Sequence, residues 1–267
     1  MSKKGVSMNN ALMKSQALDL SDSSQAAFHE ACEKIIGQAK TTNGIGTLKE
    51  KTIHAVLKNY YAPDANDQEK RIEGFVADIY VEGEIIEIQT RHFNTMRKKL
   101  ETFLPLYHVT IVYPIAATKW LCWIDEETGE VTHKRKSPKR GSLYAILPEL
   151  YRIKMFLGNP HLHFILTFID VEEYRLLNGW DTSRKKGATR HDGIPTQLVD
   201  ELYLSSPSDF TCFLPDSLPS VFTTKDLQTG AKISQSASSV CLNILYHLGV
   251  VERIGKKGNA YLYKRVL

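Results

Sequence analysis

Residues 70–90, KRIEGFVADIYVEGEIIEIQT, constrain the fold more than any other stretch, because two runs rich in Ile and Val are separated only by Glu82 and Gly83. The pattern reads as a β-hairpin preceded by one more extended segment. With Glu82 and Gly83 as the two central turn residues, Val81 pairs with Glu84, and Asp78 falls directly opposite Glu87. Val76 likewise falls opposite Gln89. Side chains alternate along a strand, so Asp78, Glu87 and Gln89 are expected on one sheet face. Ala77, Ile79, Ile86 and Ile88 form the other face, an apolar set suited to a core.

The flanking residues supply the layers. Thr47 caps a helix, with Glu50 completing a T-x-x-E capping box and Ile53, Val56, Leu57 and Tyr60 giving its apolar stripe before Pro63. An appended helix from Ser24 precedes it, behind a mobile arm of about twenty residues. After the hairpin, Phe93, Met96, Leu100, Phe103 and Leu104 mark another helix, and Val109 to Ile115 form a short strand apolar on both faces. The order helix, antiparallel strands, helix, buried strand predicts an α/β sandwich with a mixed sheet. A second sheet region follows: WLCWID, the basic loop HKRKSPKRG, a helix near Leu143 to Phe156 and the strand HLHFILTFID.

Two carboxylates held about 5 Å apart on paired strands repel, and the arrangement is unfavourable unless something neutralises it. Mg²⁺, or Mn²⁺ in its place, suits such a pair, since it takes one or two carboxylates together with waters and phosphate oxygens. The competing reading, surface acids on a half-exposed strand pair, fits less well, because Glu87 and Gln89 interrupt an otherwise apolar run. Glu50 and His54 share a helical stripe with Ile53 and Leu57 and should point toward the sheet. Either can reach a metal or its water. Glu50 can instead serve only its capping box, and for His54 a hydrogen-bonded, partly buried imidazole is the preferred reading.

A helix with a Glu, then VADIYVEGEIIEIQT, an amphipathic helix and VTIVYPI resembles the PD-(D/E)XK phosphodiesterase superfamily, the restriction-endonuclease-like nucleases. The resemblance covers roughly 70 residues and rests on the order of elements. It implies that Asp78 and Glu87 are metal ligands, that Gln89 occupies a position usually held by lysine, and that Glu50 is the assisting helical Glu. Gln89 departs from the pattern: it is neutral and neither a base nor a cation, though it can position a water. Lys98 or Lys99 from the next helix is a substitute, with a solvated face the preferred reading for both. The implied activity is metal-dependent endonuclease cleavage of DNA, an RNA or junction substrate being indistinguishable at this level. The alternative is a catalytically silent nuclease-like DNA-binding or regulatory protein.

The remaining signals concern partners. Among 267 residues the net charge is only +4, yet Lys134 to Arg140 holds five Lys/Arg, Arg184 to Arg190 four and Arg253 to Arg265 five. Clusters of this kind engage phosphates. Lys134, Arg135, Lys136, Lys139 and Arg140 are therefore candidate backbone contacts. The polar, aperiodic segment 181–194 is the expected linker, dividing an arm and appended helix (1–46) and a nuclease-like core (47–180) from a C-terminal domain (195–267), with Pro195 to Tyr203 helical. From TTKDLQ onward the chain resembles a winged helix-turn-helix domain, which would place Ser234, Gln235, Ser236 and Ser239 at base edges or phosphates. In that domain Arg253, Lys256 and Lys257 would contact the backbone, while Tyr246, Tyr261 and Tyr263 are expected as its core. The expected partner is duplex DNA, with a homodimer attractive because one active edge cuts one strand. Cys32, Cys122, Cys212 and Cys241 are dispersed, against both a zinc site and a disulfide framework. No run of about 18 apolar residues occurs and no export signal is evident, so a cytoplasmic protein without a membrane span is expected.

Overall fold

Two tight turns begin the sheet. Glu73 and Gly74 (φ 48° and 82°) and Glu82 and Gly83 (φ 50° and 91°) are left-handed at both central positions, the type I′ geometry whose twist matches flanking strands. They join β1 (Gln68–Ile72), β2 (Phe75–Val81) and β3 (Glu84–Ile88) into a meander, with Ile72 opposite Phe75 and Val81 opposite Glu84. The hairpin register expected from the sequence is the one adopted.

The computed structural model describes residues 22–42, 52–125, 128, 130–176 and 189–267. The N-terminal arm, Thr47 and Glu50 lie outside these residues, so the capping box and the helical Glu are not placed. Helices α1 (Asp22–Thr42) and α2 (Thr52–Tyr61) precede the meander, and α2 ends before Pro63. A short 3₁₀ turn and α3 (Arg97–Phe103) follow it, and β4 (His108–Ile124) then runs 17 residues, well past the short strand expected. Beyond it come β5 (Val131–Lys136), α4 (Leu147–Arg152), β6 (Leu162–Leu176) and β7 (Thr189–Leu204).

The main sheet runs β1-β2-β3-β4-β6-β7, with β5 also paired to β4. Strand β4 is parallel to β3 and β6, and the other pairings are antiparallel. The fold is thus α/β with a large mixed sheet, as expected. Helices cover both faces. Phe28 of α1 and Val56 and Leu57 of α2 pack on Ile79, Ile88 and Val112. Leu100 and Phe103 of α3, with Leu147 and Leu150 of α4, pack on Ile111 and Phe164 opposite. Leu57 is fully buried, worth roughly 1.5–3 kcal/mol relative to exposure.

Strand β4 has different neighbours along one edge. Strand β3 stays beside it as far as Ile88 with Val112, and β5 takes over only at Lys136 with Trp120. Gln89 extends the first pairing by an N–H bond to the Val112 carbonyl, and Ser137 and Gly141 extend the second by bonds to the Lys119 and Ala117 carbonyls. Between Val112 and Ala117 no backbone hydrogen bond reaches this edge among the described residues, which leaves a notch in the sheet. Strand β6 runs unbroken along the other side to Ala116 and resumes at Lys119.

Three expectations are corrected. Residues 195–203 are not helical: they lie in β7, paired along β6 from Leu176 with Thr189 to Phe164 with Leu204. Leu204 and half-buried Leu202 face the α3 and α4 side and Leu198 the α1 and α2 side across a bulge at Val199, a strand alternation that short-range helical spacing concealed. Of the expected linker, 181–188 lies outside the described residues and 189–194 is strand. The segment 133–141 is also not all loop, because Lys134, Arg135 and Lys136 sit on β5.

The C-terminal part comprises β8 (Val221–Phe222), α5 (Thr224–Ala231), α6 (Gln235–His247), β9 (Val251–Lys257) and β10 (Ala260–Arg265), with sheet order β8-β10-β9. A Thr223/Asp226 capping box starts α5 and Ser234 caps α6. Its apolar side joins the core beside α3 and α4 through Cys241, Leu242 and Leu245, and Lys154 Nζ bonds Asn243 Oδ1 at 2.9 Å. No described helix is long and apolar enough to cross a membrane.

Candidate active site

The hairpin register sets the site. With Val81 opposite Glu84, Asp78 and Glu87 lie across from one another where β2 and β3 begin to part. The Asp78 carboxylate reaches across, and its Oδ2 accepts a 2.8 Å bond from the Ile88 amide. His54 on α2 approaches the same oxygen with Nε2 at 3.2 Å, so the partly buried, hydrogen-bonded imidazole is found, and its partner is the candidate acid. From α3, Lys99 Nζ lies 2.6 Å from Glu87 Oε1. Its side chain is 17% exposed and that of Glu87 7%, so Lys99 is not on a solvated face.

The two carboxyls are pushed in opposite directions. Burial, and then the negative charge of Asp78, raises Glu87 to about 7, with Lys99 opposing. Burial acts on Asp78 in the same sense, but the His54 hydrogen bond and charge, the Ile88 amide and Lys99 outweigh it and hold Asp78 below its usual range. Lys99 neutralises Glu87 at Oε1, a buried oxygen that no other side chain among the described residues reaches. Two carboxylates facing one another are the donor type that a hard cation takes, and the Lys99 ammonium holds the Glu87 oxygen in its place. No group of three or more His, Cys, Asp or Glu suited to a metal occurs among the described residues.

Beside the acids opens a cavity of about 760 Å³, which occupies the notch in β4. His54 and Gln89 line it, so it borders the acid pair through the imidazole and the glutamine. Its basic residues are Arg91, Lys119, Lys139, Arg140 and Arg175. Lys139 and Arg140 were expected at phosphates. Arg91, Lys119 and Arg175 were not, since they come from three separate elements and no short spacing joins them. Lys119 and Arg175 are already paired with buried Glu173.

The other candidate contacts are surface groups. On β5, Lys134 and Lys136 lie 5.5 and 5.6 Å from the Trp120 ring, and Arg135 lies 5.6 Å from Trp123, so the basic strand carries its charge on an aromatic floor. Gln235 and Ser236 are exposed on the first turn of α6, whereas Ser234 and Ser239 use their hydroxyls within the helix. Arg253, Lys256 and Lys257 are exposed on β9. Tyr263 is core, as expected, but Tyr246 and Tyr261 are 45% and 40% exposed and flank the Arg253 guanidinium at 4.4 and 4.3 Å.

A family model described as a domain of unknown function, DUF8091, matches residues 51–205, which is the unit from α2 to the end of β7. An uncharacterized protein of Treponema pallidum (strain Nichols) is 28% identical over 223 residues, spanning 83% of this chain and 87% of that relative. No solved structure matches the chain.

Proposed function

We propose that this chain, which belongs to the DUF8091 family, is a metal-dependent phosphodiesterase that cleaves duplex DNA. The observation that carries the reading is Asp78 and Glu87 held across one hairpin with Lys99 Nζ 2.6 Å from Glu87. In this reading the sheet unit is a restriction-endonuclease-like core, and the C-terminal helices and hairpin are a winged helix that docks on DNA.

Asp78 and Glu87 would hold Mg²⁺ or Mn²⁺, and the bound cation supplies electrostatic stabilisation of charge developing on the phosphate. The protein's own groups do the rest. His54 fixes the rotamer of Asp78. Lys99 supplies the positive charge that neutral Gln89 lacks, and it can pass from Glu87 to a phosphate oxygen. Gln89 orients a water through its amide. Lys139, Arg140 and the β5 cations take flanking backbone phosphates, and Arg253, Lys256 and Lys257 anchor the C-terminal part.

A second reading, a catalytically silent DNA-binding protein, has one specific observation in its favour. His54 on Asp78 and Lys99 on Glu87 already give each acid a side-chain partner without any cation. Nicking of supercoiled DNA with Mg²⁺ or Mn²⁺, beside EDTA, Asp78→Ala and Glu87→Ala controls, separates the two. Cleavage abolished in all three controls with binding kept supports the enzyme. No cleavage under any metal, with salt-dependent binding intact, supports the silent protein.

A further inference from the structure

The notch in β4 is walled by apolar groups and open at a cationic mouth. Tyr113, Ile115, Leu121, Ile169 and Val171 line it and are all buried. Arg91, Lys139 and Arg140 line it and are exposed, and no ion pair engages any of the three among the described residues. The volume, about 760 Å³, lies within the roughly 300–1,000 Å³ of small-ligand sites. A volume of this size admits one flat heterocycle with its sugar and phosphate and is far too small for a duplex.

The basic mouth is pinned. A Cβ at Gly141 would lie 2.4 Å from the Ala116 carbonyl oxygen and 2.6 Å from Ile115 Cγ2, so only glycine lets the chain lie this close to β4. The bonds from Ser137 and Gly141 to the Lys119 and Ala117 carbonyls hold the same loop down. Lys139 and Arg140 are thereby presented at the cavity by a fixed loop. The buried acids on the wall, Asp192 and Glu149, are satisfied internally: Asp192 bonds Thr52 and the Gly193 amide, and Glu149 bonds Arg152 and the Phe93 amide. The groups left to meet a ligand are apolar surface, cations and the neutral polar side chains of Gln89, Thr90 and Ser137, with no unsatisfied acid among them.

We propose that this cavity binds a single nucleotide unit, its base against the apolar wall and its phosphate at Arg91, Lys139 and Arg140. A nucleotide swung out of a strand beside the acid pair and a free nucleoside monophosphate present the same chemistry. The strand source rests on the nucleic-acid reading above; the free-nucleotide source does not. Extruding a base costs little where it is already unpaired, so a mismatch or a flap is the favoured polymer substrate.

The test uses full-length protein in EDTA, which removes cleavage from the readout. Fluorescence of 2-aminopurine reports binding of its 5′-monophosphate, of its unphosphorylated nucleoside, and of a duplex carrying one unpaired 2-aminopurine. Inorganic phosphate serves as competitor. The monophosphate or the unpaired duplex, or both, should bind, and Arg91→Ala/Arg140→Ala should weaken binding by about ten-fold or more. Both residues are exposed, so the variant is expected to fold, and its urea midpoint checks this. Binding of the monophosphate identifies a free nucleotide as a sufficient ligand, whereas binding of the duplex alone identifies the strand source. The proposal is overturned if neither probe binds, if the double variant binds both unchanged, or if inorganic phosphate competes as well as the monophosphate. Plasmid cleavage persisting beside a failed binding test would sink the cavity proposal alone, and nucleotide binding without any cleavage would sink the nuclease reading alone.

Discussion

Glu87 of β3 and Lys99 of α3 meet 2.6 Å apart, and this contact links the helix to a carboxylate that burial disfavours. In Lys99→Met, Glu87 faces Asp78 with no cation between them. Removing one partner of a buried pair leaves an uncompensated charge, so a stability loss of about 3 kcal/mol is expected at pH 8. The loss should shrink at pH 5, where a proton replaces the lysine. Urea unfolding at both pH values measures it, and equal losses at the two would show that the pair is not electrostatic in origin.

The pH profile of the unmodified protein follows from the same carboxyl. Its folded value is about 7, whereas in an unfolded chain a Glu titrates near about 4.3. Between these values the folded protein keeps a proton that the unfolded chain has released, so stability falls as pH rises through this window and levels off above it. Asp78 is shifted down, so its contribution is present above its unfolded value and is lost only in stronger acid. Glu87→Gln should flatten the profile from pH 5 to pH 8. If a cation binds the pair, added Mg²⁺ should raise the midpoint more at pH 8 than at pH 5, and not at all in Glu87→Gln.

Gly141→Ala tests the pinning of the basic loop. The added methyl meets the Ala116 carbonyl and Ile115, and the strain should cost about 1–3 kcal/mol. A thermal midpoint lower than that of the parent, together with weaker DNA binding, is the expected pair of results. An unchanged midpoint would mean that the loop lifts freely from β4.

Lys256→Ala/Lys257→Ala addresses the C-terminal hairpin. Removing one phosphate-bound lysine makes the logarithmic dependence of DNA affinity on salt shallower by about 0.9. A slope reduced by about two units, measured by titration at several salt concentrations, is expected if both lysines touch the backbone. An unaltered slope would move the DNA-binding surface away from β9, to β5 or to the cavity mouth.

The hairpin was legible because its information is local. Two turn residues fix the register, and the register alone puts Asp78 opposite Glu87. Lys99 was visible as a residue but not as a partner, because whether a helical lysine turns inward depends on how α3 lies on the sheet. The helix expected over 195–203 failed for a related reason: nine residues with Leu198 and Leu202 four apart fit either period, and only the long partner β6 decides for strand. Arg91, Lys119 and Arg175 could not be grouped at all, since the cavity that gathers them is made by strand neighbours far apart in sequence.

That cavity owes its existence to the ladder rather than to the groups that line it. Because β6 supports β4 along nearly its whole length, the gap between β3 and β5 needs no closing motion to keep its shape. Arg91 and the loop 137–141 are add-ons to a finished frame. Substitutions of the exposed side chains Arg91, Lys139 and Arg140 would change what the pocket selects while the frame stays folded, whereas Gly141 belongs to the frame.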